Sequence, residues 1–387
     1  NASTLPTESY YDTYAGITDE SDVTAANISV KAEDYTRAKS DAWDQSIAVT
    51  VSIATTQGVN TIHSDTNATI NARLFATDDV SIHADSNAWM YARTYSSQRG
   101  GFVADGDMHA YNTLKRNVAV DILSGADIEA DFGEVLIRAD AGSRDTSYTE
   151  ARVDNTSFVA TGKADAHTDV STSTTVKVER GANLENRFGY IRIYTNASVK
   201  DVHAYSHVYN AGLGNEPDAK ALGKLTLTSQ IDVGLAGSGV AEMLAKYIDI
   251  RSYYGSMSFH MESYARGRGL GVNVDTTSQT IATLTNQVNV SNAVLKAYDN
   301  VIILADGRPD YSSENIFNDA YSFAQGIGAA DAKADLGSSR SNSAVAIGAN
   351  TDIYGAYVNI DAYAFSGGVR QYPHTKRTGI ASSSDVR

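Results

Sequence analysis

The feature that most constrains this chain is a short apolar alternation that keeps returning at a nearly fixed interval. Val80-Ser-Ile-His-Ala84 is followed by Val135-Leu-Ile-Arg-Ala139, Ile191-Arg-Ile-Tyr-Thr195, Ile248-Asp-Ile-Arg-Ser252, Val301-Ile-Ile-Leu-Ala305 and Val358-Asn-Ile-Asp-Ala362. An earlier copy sits at Ile28-Ser-Val-Lys-Ala32. Between first residues (28, 80, 135, 191, 248, 301 and 358) the steps are 52, 55, 56, 57, 53 and 57. A fixed period with weak identity marks a repeat array, in which each unit packs on its neighbours and a long chain forms one body. The expected organisation is a single continuous body over 1–387, six to seven repeats in all, read as a segment of a longer chain.

Alternation pervades each unit, whereas helical periodicity over ten or more residues is hard to find. In the unit beginning at Val80, Ala84, Ala88 and Ala92 continue an Ala-rich strand, and Gly100-Gly101 turns the chain. Phe102 to Ala110 reads as a second strand, Val118-Ala-Val-Asp-Ile122 as a third and Gly125-Ala-Asp-Ile-Glu-Ala130 as a short fourth. Gly212, Gly269 and Gly379 lie 21 residues past their anchors, as Gly101 does, and Gly326 lies 25 past its own.

One such unit cannot bury its apolar face alone. Stacking units in register gives every strand a parallel partner about 4.8 Å away. The expected fold class is therefore all-β, a parallel β-solenoid (β-helix) built from repeats of about 55 residues. Strand marks near offsets 0, 22, 40 and 48 are uneven, which favours one wide, flattened circuit per repeat over two narrow ones. Strands of up to about a dozen residues follow. Apolar residues make up 42% of the chain, but Ala, Val and Ile dominate them, which suits a thin interior. Ile82, Ile137, Ile193, Ile250, Ile303 and Ile360 are expected to form one buried column, and Tyr190, Tyr247 and Tyr357 a stacked ladder.

The absence of Cys removes disulfides and thiolate metal sites. A net charge of −15 opposes nucleic acid as a partner, because phosphates call for Lys and Arg. No apolar run is long enough for a membrane span.

The Val-x-Ile-x-Ala anchor, the Ala-rich strand after it, the glycine turns Gly269-Leu-Gly271 and Gly326-Ile-Gly328, and the Gly125-Ala-Asp-Ile128 lead together resemble a known style of repeat. It is that of large bacterial secreted adhesins and exoproteins, the filamentous-haemagglutinin-like and fusobacterial-leukotoxin-like β-helices. The resemblance covers essentially the whole chain, departing from that pattern in its 23 Tyr. It implies an extracellular or cell-surface protein, a shaft or filament subunit that is structural or adhesive and not an enzyme. The partners it implies are further repeats of the same chain or another copy met head to tail, with surface glycans or receptors as ligands.

No catalytic, metal or cofactor residue is assigned from the sequence. His203 and His207, four apart on a strand, lie about 13 Å from each other, too far to share an ion. Asp249 and Arg251 share one face of a strand, with Glu262 further along. They are the nearest approach to the acid and base groups of a carbohydrate-active β-helix enzyme, a polysaccharide lyase or glycosidase, which stands as the alternative function. The acidic turns Asp19-Glu20-Ser-Asp22, Asp78-Asp79 and Asp306-Gly-Arg-Pro-Asp310 carry the oxygen ligands that Ca2+ takes. None matches a known calcium loop, and solvated turn acids with no cofactor are expected.

Overall fold

The computed structural model describes residues 7–18, 21–309, 315–365, 367–378 and 384–386, and every regular element among them is a β-strand. All strand pairings are parallel, and each joins a segment to the one a repeat further on. The anchors pair in sequence: Ile28 with Val80, Val80 with Val135, Val135 with Ile191, Ile191 with Ile248, Ile248 with Val301 and Val301 with Val358. No described pairing falls at half the period, so the chain makes one circuit, or rung, per repeat. No helix of the described residues is long and apolar enough to cross a membrane.

One rung shows how the circuit is built. A long strand, Val80–Arg99, carries the anchor; a tight turn leads to a second long strand, Val103–Ile122, and a short one, Asp127–Ala130, completes the circuit. The two long strands have 20 residues each, not a dozen, and Val118–Ile122 is the far end of the second long strand rather than a separate third. The reason lies in the inward positions between Ala110 and Val118. Asn112 and Arg116 point inward and are buried, so the apolar alternation breaks while the backbone ladder runs on. Rungs on both sides supply hydrogen bonds to every residue, and no hairpin limits strand length.

Glycines mark the turn between the long strands for two reasons. Gly100 and Gly101 have φ of 81° and 84°, the left-handed region where a Cβ is costly. Gly269 and Gly326 stack on Gly212, and a Cβ on either would run into the backbone oxygen of the glycine one rung before. Gly379 lies outside the described residues.

The interior divides into two apolar clusters. One joins the anchors to the end of the second long strand and to the short strand, with Ile82, Ile122 and Ile128 as members. The other fills the space between the facing long strands, where Met90, Met108, Leu114 and Phe259 sit among many Ala. Ile82, Ile137, Ile193, Ile250 and Ile303 are each 0% exposed, as the period predicts. Ile360 is in register with Ile303 but 43% exposed, because among the described residues its strand is paired on one side.

A polar seam runs through the second cluster to its boundary with the first. Asn60 Nδ2 donates to Asn112 Oδ1 at 2.9 Å and to the Tyr91 carbonyl at 2.8 Å, and Asn112 donates onward to Thr149 Oγ1 at 2.9 Å. Arg116 is buried with its guanidinium forked onto Asp145, at 2.8 Å for Nη1–Oδ1 and 2.5 Å for Nη2–Oδ2. Its remaining donors reach the Ser86 carbonyl and Thr172 Oγ1, both at 3.1 Å, and Asp145 also accepts the Ala88 N–H at 2.9 Å. Burying this pair is tolerable because both partners are held by further hydrogen bonds.

Candidate ligand-binding face

Past the anchor, the outward side chains of the first long strand build a face that sequence patterning did not isolate. Register sets Trp43, Tyr95, Arg152, His207, Tyr264, Tyr321 and His374 in one column. The column four residues earlier runs Lys39, Tyr91, Tyr148, His203, His260, Phe317 and Arg370. Side chains on one sheet face stand about two residues apart along a strand and one strand spacing apart across it, so neighbouring rings meet.

Many of them do. Tyr91 and Tyr148 stack with centroids 5.5 Å apart, and Tyr264 and Tyr321 stack at 5.0 Å with planes 3° from parallel. His203 meets His260 edge to face at 4.8 Å, and His207 meets Tyr264 likewise at 4.9 Å. Cations cover several rings: Arg152 stands 5.5 Å from the Tyr95 centroid, and Arg266 stands 4.8 Å from Phe323 and 5.8 Å from Tyr209. The face dips into a shallow depression of about 450 Å³ lined by Tyr95, Arg152, Asp154, His207, Tyr209, Tyr264 and Arg266. Arg152 forks onto Asp154 at 2.8 and 3.1 Å, and Arg93 pairs with Glu150 at 3.2 Å.

Burial and then the Arg152 charge depress the His207 pKa to about 4, against the opposing pull of Asp154. This imidazole is neutral in the folded chain at neutral pH. The unfolded chain binds its proton near pH 6.5, so between about pH 6.5 and 4 it holds more protons than the folded one. The His207 contribution to stability is thus complete above pH 6.5 and is lost as pH falls toward 4. His207→Gln should flatten that part of the stability curve relative to the unaltered chain; parallel urea titrations from pH 7 to pH 4 check it, and unchanged slopes would refute the assignment.

The residues singled out from sequence fall elsewhere or pair differently. His203 has His260, one rung on, as its neighbour rather than His207. Asp249 binds Arg251 at 2.6 Å and accepts the Tyr194 hydroxyl at 2.8 Å, whereas Glu262 stands beside His203 and His260. Tyr190 and Tyr247 stack at 4.7 Å, but Asn300 takes the next position and separates Tyr357 from them.

Of the acidic turns, Asp79 accepts the Glu134 N–H at 2.8 Å and Asp306 holds Arg308 through two bonds of 2.7 Å. These carboxylates serve the turns themselves. Asp19, Glu20 and Asp310 lie outside the described residues. Compared with protein-family models, with curated proteins and with solved structures, the chain matches none of them.

Proposed function

We propose that this chain is a β-solenoid segment of an extracellular or surface protein, a shaft with a structural and adhesive role whose aromatic face holds polysaccharide. The observation that carries this reading is the recurrence of ring and cation columns in each rung from Lys39 to Lys376, without elaboration confined to one rung. Sugar rings have apolar C–H faces and polar edges, so flat aromatic plates beside Arg and Asp forks match both parts. A ligand that repeats along its length can meet the same kind of contact rung after rung, which raises avidity without new contact types. The −15 charge keeps such bodies from clumping side to side.

Within the alternative, a carbohydrate-active enzyme, the glycosidase needs a carboxylate pair poised across a bond. On this face Glu150 and Asp154 are each engaged by an Arg, an arrangement that suits binding better than proton transfer. The experiment is retention on immobilised polysaccharides, neutral (dextran, cellulose) and acidic (alginate), with Tyr264→Ala/Tyr209→Ala as the comparison. Retention of the unaltered chain, weakened at least tenfold in the double variant and with no reducing ends released, is expected. Release of reducing or unsaturated ends would move the reading to the enzyme, and no retention on any of them would remove the adhesive part.

A further inference from the structure

We propose that His203, His260 and Glu262 form a binding site for a divalent transition-metal ion, with Zn2+ as its simplest occupant, that ties two successive rungs together. The register pairs His203 with His260 and Tyr205 with Glu262, so the ligands come from adjoining rungs. Among the described residues this is the only group of three or more His, Asp or Glu side chains whose ligand atoms converge, all lying within 4.8 Å of one another. Bonds of about 2.0–2.2 Å to a tetrahedral ion bring ligand atoms closer than that. The remaining gap is within reach of side-chain rotation, since all three side chains are half-buried rather than locked in the core.

Two further details point to an ion. His203 Nε2 lies 2.9 Å from Asp201 Oδ1. A proton held there leaves the Nδ1 lone pair free, the arrangement by which a carboxylate orients a metal-bound imidazole. His260 Nε2 is buried and has no hydrogen-bond partner. A buried polar atom left without a partner is costly, and a metal bond would satisfy it.

Two imidazoles and one carboxylate select Zn2+ and its neighbours in the first transition row over Ca2+ or Mg2+, which prefer oxygen alone. Three protein ligands leave a fourth position for water or for a donor from a bound partner. The site does not depend on the polysaccharide reading.

The test is calorimetric titration of the full chain, stripped with EDTA and dialysed, with ZnCl2 and separately with CaCl2. One equivalent of Zn2+ should bind saturably and Ca2+ should not. His260→Gln and Glu262→Gln should each weaken Zn2+ binding at least tenfold, while His167→Gln, on the other long strand, leaves it unchanged. Should a variant fail to fold, anomalous scattering at the zinc edge from crystals of the unaltered chain decides the matter, with a peak expected between His203 and His260. Absence of saturable binding, binding indifferent to both variants, or a peak elsewhere would each overturn the site.

Discussion

Arg116→Ala should destabilise the chain by about 3–5 kcal/mol, because it strands the Asp145 carboxylate in the interior without its counter-charge. Few single truncations here should cost more. Both side chains are almost fully buried, and Asp145 would be left with the Ala88 N–H, a single neutral donor. Asp145→Ala should cost a similar amount by leaving the guanidinium unpaired. The double variant should be no worse than either single one, because no lone charge then remains. Urea unfolding of the four proteins in one buffer provides the cycle; additive losses would show that the two groups do not act as a pair.

Ile193→Asp is the second large effect. Ile193 is 0% exposed between Ile137 and Ile250, and a carboxylate there has no partner within the apolar cluster. The expected loss is several kcal/mol. The same substitution at Ile360, equivalent in register but 43% exposed, should cost below about 1 kcal/mol in this chain, near the range of surface positions. Comparing the two thermal midpoints separates position in the stack from residue type. Equal losses would mean that the register does not govern burial.

These two sites also show what can be read from sequence and what cannot. The anchors are legible because small β-branched residues recur at inward positions, so period and register follow from counting. Ile193 could be placed from that pattern alone. Arg116 could not, since it occupies a column with Ser64, Thr172 and Leu227, and only Asp145 in the neighbouring rung explains its charge. The same substitution of polar for apolar residues at inward positions made one long strand look like two.

The aromatic face escaped for a related reason. Its columns mix Trp, Tyr, His, Phe, Lys and Arg, so an identity repeats over one step at most and none holds through a column, and only exposure together with register gathers them. His203 illustrates the point most sharply. Its partners His260 and Glu262 lie 57 and 59 positions away in the chain (260 − 203 and 262 − 203), whereas spacing along a single strand directs attention to His207. Motif spacing of a few residues reports on one strand; in a stacked chain the near neighbour is a whole repeat away.

The central claim is one circuit per repeat, and a spin-label distance tests it most directly. The chain has no Cys, so Lys115→Cys together with Arg340→Cys gives a unique label pair on the outer surface of the second long strand. Register connects them through Ser171, Thr226 and Thr283, four rung steps in all. At about 4.8 Å per step, pulsed dipolar spectroscopy should report a distribution centred near 19 Å before label length is added. Two narrow circuits per repeat would place the labels about twice as far apart, near 38 Å, and a distribution there would contradict the account.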